Sequence, residues 1–179
     1  GIPTDPLSSN VVLKEYLSKK DLDGAIIVAP DMGQAKSAAR FANTLGLPVA
    51  AGNKERVSDS EVVISGLVGN QVRGHKHALI YDDEIATGGS ILELSRVLVE
   101  EGVEDIRVVC THGVFSRGGL ERLAVVPEIS EIITTDTVHI PPNKIHPKLT
   151  VLSVAPVFAN AIRHNINRES LSDLFVFGE

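Results

Sequence analysis

Residues 78–90 read "ALIYDDEIATGGS". Three apolar residues and Tyr81 have the length and character of a buried strand, two glycines turn the chain, and an amphipathic run with apolar spacings of three and four follows. Strand, acids, glycine turn and helix in succession form the repeating half of a parallel sheet. Asp82, Asp83 and Glu84 repel one another at this spacing unless something cationic sits between them.

Outward from this stretch, the same plan recurs: "IIVAPDMGQAKSAARFANTLG" (26–46) echoes "LIYDDEIATGGSILELSRVLVEEG" (79–102). Short apolar runs at 25–29, 48–51, 77–81, 105–110, 131–135 and 149–154 read as strands. Between them, residues 33–46 and 89–102 read as helices that stop at Gly46 and Gly102. Ser9 and Asn10 are placed to cap a first helix through Lys19, "VAPVFANAIRHNI" (154–166) reads as a late helix and "ESLSDLF" (169–175) as a last turn. The expected fold class is α/β, a doubly wound and mostly parallel sheet flanked by helices, with residues 1–179 as one domain. In such a sheet ligands collect at the carboxyl ends of the strands where the order reverses, so both acidic loops are expected to face one crevice. Residues 52–74, "GNKERVSDSEVVISGLVGNQVRG", are polar and then briefly alternating; they read as a mobile loop followed by a hairpin.

Hydrophobic residues make up 43% of the chain and charged residues 22%, which suits one buried core, while aromatics at 4% leave the packing to aliphatic side chains. The net charge of −6, without a dense basic face, argues against nucleic acid or anionic lipid as partner. No apolar stretch approaches membrane-span length, and "GIPTDPLSS" has no targeting character. Cys110 is the only cysteine and closes the apolar run "IRVVC", so no disulfide framework is possible and a reducing, cytoplasmic compartment is expected. With Met32 the sole methionine, the sequence also has no initiator.

The glycines free the backbone N–H groups of Thr87–Ser90 to approach a ligand at a helix amino terminus, where they can surround a phosphate. Thr87 and Ser90 add hydroxyl donors. Asp82 and Asp83, just upstream, are placed to accept hydrogen bonds from sugar hydroxyls or to hold the water shell of Mg²⁺, a cation that favours a few carboxylates plus substrate phosphates. "APDMGQ" (29–34), with one acid and one glycine, draws its weight from its echo of the stronger loop. Lys54 and Arg56 in "NKER" are the cations that phosphoryl transfer in an acidic chain requires, against the plain alternative of a solvated surface pair. None of the six histidines has the spacing of a zinc site, and Cys110 has no adjacent base.

"YDDEIATGGS" resembles the phosphoribosyl diphosphate loop shared by type I phosphoribosyltransferases and ribose-phosphate diphosphokinases (PRPP synthetases). "APDMGQAKSAARFAN", "NKER", "THGVFS", "TDTV" and "LSVAPVFANAIRHNINRESLSDLF" look like landmarks of the second family in the same order, so the resemblance covers essentially the whole chain. It implies a phosphoribosyltransferase-type fold, ATP and ribose 5-phosphate as substrates, PRPP and AMP as products, Mg²⁺ as cofactor and a homo-oligomer. By the same resemblance Ala86, Thr87, Gly88, Gly89 and Ser90 would bind the 5-phosphate, and Asp82 and Asp83 the ribose hydroxyls and metal. Asp31, Gly33 and Gln34 would handle the ATP phosphates, with Asp31 a further metal ligand, and Lys54 and Arg56 would be catalytic cations of a mobile loop. Three departures stand out: Ala86 replaces a usual Asp, Gln34 a usual Gly, and the chain looks like the carboxyl-terminal portion of a two-domain enzyme nearly twice as long. The preceding half would supply adenine contacts and a metal-binding histidine. A phosphoribosyltransferase that consumes PRPP and a non-catalytic regulatory subunit remain as alternatives, the latter favoured by the departures.

Overall fold

The run "AIIVA" forms β1 (Ala25–Ala29), every residue of it buried. Alternation along β1 and its neighbours divides the core between the two faces of one sheet. Ile26, Val28, Ala78, Ile80, Ile106, Val108 and Ile132 lie on one side, Ala25, Ile27, Leu79, Tyr81, Val109 and Ile133 on the other. A computed structural model describes residue 4 and residues 6–56 and 62–171, and for residues 54–56, 62 and 63 the backbone only. Its other strands are β2 (Val49–Arg56), β3 (Val62–Gly69), β4 (His77–Ile85), β5 (Asp105–Gly113), β6 (Ile129–Thr135) and β7 (Leu149–Leu152). Their order in the sheet is β3-β2-β1-β4-β5-β6-β7, all parallel except β3, which runs antiparallel to β2.

Helices cover both faces. On one, α1 (Asn10–Leu17) and α2 (Ala35–Leu45) seal the sheet with Leu13, Leu17, Ala38, Phe41 and Ala42. Phe41 stacks on Tyr81 at 4.6 Å between ring centroids, within the range in which offset aromatic pairs attract. On the other, α3 (Gly89–Glu100) contributes Ile91, Leu94 and Leu98, and the short α4 (Gly119–Ala124) adds Leu120 and Leu123. α5 (Ala155–Asn167) buries only Val157, leaving Phe158, Ile162 and Ile166 exposed along one stripe. No helix among the described residues is long and apolar enough to cross a membrane.

Three details depart from the sequence reading. β4 continues through Ile85, so the three acids are strand residues rather than part of a loop; the pairing of Asp82 with Cys110 and Glu84 with His112 extends the ladder, leaving Asp83 and Glu84 exposed and Asp82 half-buried. Residues 52–56, expected to begin a mobile loop, are the second half of β2, paired to β3 with a bulge between Asn53 and Lys54. The connection through 57–61 lies outside the described residues, as does the expected last turn beyond Leu171. At the amino terminus of α1, Ser9 and Asn10 do not cap the helix: the Ser9 hydroxyl pairs with that of Thr111 at 2.7 Å, and Asn10 Oδ1 accepts the Tyr81 hydroxyl at 2.8 Å. Tertiary partners outbid the local ones because Asn10 is buried and cannot reach water.

Candidate active site

β1 pairs with β2 on one side and with β4 on the other, which makes the β1–β4 seam the point where the strand order reverses. Two connections open there. Residues 31–34 join β1 to α2, and residues 86–88 join β4 to α3.

In the second, Gly88 sits at φ 75°, a left-handed conformation that a side chain resists, and directly caps α3. A Cβ there would also press on Leu123 at 3.2 Å. The first helical bond of α3 runs from the Leu92 N–H to the Gly88 carbonyl at 3.0 Å, so the first-turn N–H groups precede the α-helical ladder at the end of the helix that favours anions. In the first connection the turn is held by the Gln34 N–H donating to Asp31 Oδ1 at 3.2 Å, and a Cβ on Gly33 would meet that same carboxylate at 3.0 Å. Gln34 flanks α2 without a side-chain cap.

The acids of the two connections share one field. The Asp82 carboxyl is pushed up to about 7, first by burial, then by its hydrogen bond with the Asp83 carboxyl and by the charges of Asp83 and Asp31; the Asp83 N–H, donating at 2.9 Å, works the other way. A carboxylate site that holds its own proton near neutrality for want of a countercharge suits a divalent cation. Among the described residues no group of three or more His, Cys, Asp or Glu could hold a metal ion by itself. Mg²⁺ keeps water and takes further ligands from substrate phosphates, so single carboxylates such as those of Asp31, Asp82 and Asp83 are the donor type it uses.

The backbone places Lys54 and Arg56 at the far end of β2, opposite Ile64 and Val62 of β3. Cys110 is paired beside Asp82 on β5, with its thiol pushed up to about 12, mainly by burial, which removes it from nucleophilic chemistry.

Sequence reading missed two contributors. A hydroxyl cluster lines the edge beyond β4: Thr135 and Thr137 donate to the Thr111 carbonyl at 2.7 and 3.0 Å, and His112 Nδ1 is hydrogen-bonded to the Thr137 hydroxyl at 2.8 Å. Thr111, His112 and Thr137 border a cavity of about 210 Å³ shared with Ser9 and Phe158. The second is the strap from Val114 to α4. Phe115 and Arg117 are held at φ 47° and 51°, each a strained state for a residue with a side chain, costing about 1–3 kcal/mol. Burial of the Phe115 ring offsets this; Gly113 must lack a Cβ, which would sit 2.5 Å from that ring. The signal for α4 was present in "GGLERLA" (118–124), glycines followed by an amphipathic turn.

Fold and site together define an α/β protein with a glycine-capped helix start and paired acids at the switch point of a mostly parallel sheet. The model of the phosphoribosyl synthetase-associated domain matches residues 64–176, more than half the chain, and the protein belongs to that family. It is 38% identical to the ribose-phosphate pyrophosphokinase of Deinococcus radiodurans, over 97% of this chain and 55% of that one. A Streptomyces coelicolor protein, provisionally named as a ribose-phosphate pyrophosphokinase, is 44% identical over 98% of this chain and 55% of its own. The crystal structure of phosphoribosylpyrophosphate synthetase from Mycobacterium smegmatis superposes with a TM-score of 0.78 at 34% identity, over 89% of this chain and 51% of that one. A purine phosphoribosyltransferase from Pyrococcus horikoshii shares the fold, with a TM-score of 0.50 at 18% identity. The chain thus spans about half the length of the curated relatives it matches.

Proposed function

We propose that this chain is the ribose-phosphate-binding portion of a ribose-phosphate diphosphokinase. The supporting observation is the convergence, at one switch point, of a glycine-shaped helix amino terminus with acids from both neighbouring connections. In this reading the 1-hydroxyl oxygen of ribose 5-phosphate attacks the β-phosphorus of ATP, the bond from that phosphorus to the bridging oxygen of the α-phosphate breaks, and the hydroxyl proton is lost as AMP departs. PRPP is the product.

Each residue then has a physical task. The N–H groups of Thr87–Ser90 and the Thr87 and Ser90 hydroxyls hold the 5-phosphate, with Ala86 at the entry of the loop. Asp82 and Asp83 orient the sugar by accepting from its hydroxyls, and Asp31, Gly33 and Gln34 border the diphosphate of the donor. Lys54 and Arg56 meet the charge that spreads over the transferring group; phosphoryl transfer rests on positioning and such electrostatic contacts more than on covalent chemistry. Asp31, Asp82 and Asp83 would hold Mg²⁺, which when bound supplies neutralising charge on the diphosphate. The same reading carries a homo-oligomer, for which the exposed stripe of Phe158, Ile162 and Ile166 on α5 offers apolar surface, and a cytoplasmic setting.

The test is calorimetric titration of the chain with ribose 5-phosphate and with PRPP, each with and without Mg²⁺. Binding that a Thr87→Ala, Gly88→Val double variant abolishes supports the assignment. A folded chain that binds neither compound overturns it.

A further inference from the structure

No side chain caps α3, and Gly88 and Gly89 lack the Cβ that would restrict the backbone of the loop. The loop is nevertheless held, from behind, by the strap that follows β5. The Ile85 carbonyl accepts two hydrogen bonds, from the Val114 N–H at 3.1 Å and the Phe115 N–H at 3.0 Å. The Thr87 carbonyl accepts the guanidinium Nη2 of Arg122, on α4. Between these anchors α4 lies against the loop backbone itself: a Cβ on Gly119 would stand 2.8 Å from the Ala86 carbonyl oxygen and 3.2 Å from the Thr87 carbonyl carbon.

The peptide bonds are trans, and in a trans peptide the C=O and the next N–H point in opposite directions. Pinning the Ile85 carbonyl to the strap therefore turns the Ala86 N–H away from it, and pinning the Thr87 carbonyl to Arg122 does the same for the Gly88 N–H. Both then face the open side of the loop. The guanidinium also places a fixed positive charge behind a loop that has no cation of its own between Asp82 and Ser90.

We infer that Arg122 is a positioning residue for anion binding: by holding the Thr87 carbonyl from α4 it presets the Gly88 N–H toward the phosphate. The inference rests on the phosphate-loop reading above but touches no ligand directly. It also accounts for the strain at Phe115 and Arg117, which lets the chain leave β5, bond Ile85 and enter α4 within six residues of Gly113.

Arg122→Ala and Arg122→Lys, both at an exposed position, separate this role from a structural one. In the ligand-free chain, ¹⁵N relaxation is expected to give rigid amides at Ala86–Gly89, with order parameters near ~0.85, falling toward ~0.6 in Arg122→Ala while β4 stays unchanged. Calorimetry is expected to show ribose 5-phosphate and inorganic phosphate bound about tenfold more weakly by Arg122→Ala, with partial recovery in Arg122→Lys and an unchanged thermal midpoint. Loop amides equally rigid in wild type and Arg122→Ala overturn the inference whether or not any phosphate binds. Absence of ribose 5-phosphate binding in the wild type, with inorganic phosphate still bound and rigidity still dependent on Arg122, overturns the ribose-phosphate reading and leaves the positioning role supported; absence of both overturns the two together.

Discussion

The two strand-to-helix connections at the switch point look alike in sequence and differ in support. Residues 31–34 form a turn braced by its own acid, through the Gln34 N–H and Asp31 Oδ1. Residues 86–88 are braced by a separate segment, through Gly119, Leu123 and Arg122. A self-braced turn can be re-formed around a changed side chain, because its partner is the end of a side chain rather than a backbone. A loop packed against a second backbone cannot. Phosphate binding by backbone amides needs fixed directions, so the second kind of loop suits a tightly held sugar phosphate and the first a ligand that arrives with its own metal.

The most disruptive way to probe this contrast is a matched pair of variants. Gly119→Val drives a side chain into the Ala86 carbonyl, and ribose 5-phosphate affinity is expected to fall by roughly the 100-fold that a displacement of about 1 Å costs. Gly33→Ala is expected to leave it unchanged. Equal losses in the two, measured by calorimetry, would erase the distinction.

A comparable loss is expected on the catalytic side. In a chain of the relatives' full length, Lys54→Ala is expected to lower turnover by about 3 kcal/mol, or roughly 100-fold, while ribose 5-phosphate still binds. Steady-state kinetics beside calorimetry reads both, and unchanged turnover would remove β2 from the reaction.

A smaller effect concerns the shared acids. Asp82 titrates near 7 when folded against an ordinary carboxyl value of 3.8, so between those values the folded state holds the extra proton. Its contribution to stability is therefore present at low pH and is lost as pH rises through about 7. Asp82→Asn is expected to gain a few degrees in thermal midpoint over the wild type at pH 8 and nothing at pH 4, without metal; the opposite trend would separate Asp82 from the other acids. The smallest expected effect is at Cys110. Its buried thiol, pushed up to about 12, is expected to resist a thiol reagent at pH 8 until the chain unfolds, and rapid labelling of the native protein would mean that the sheet beside Asp82 opens.

The sequence by itself determined the alternation of strands and helices, the parallel sheet and the two loops. Each rests on local rules that "AIIVA", "HALIY" and the runs ending at Gly46 and Gly102 obey: apolar periodicity, glycine turns and helix stops. The glycine turn between β4 and α3 was legible because its residues are consecutive. Other features depended on partners far along the chain. Ser9 and Asn10 looked like helix caps and became partners of Thr111 and Tyr81, more than 70 residues away in each case. Asp82 owes its raised pKa first to burial, and the further push from Asp31 exists only because β1 and β4 pair. Arg122, one charge on a six-residue helix, gained a role only when α4 packed onto residues 86–88. Periodicity reports which face of an element is buried, whereas the direction of a carbonyl or the field at a carboxylate is set by whatever the tertiary fold brings against it.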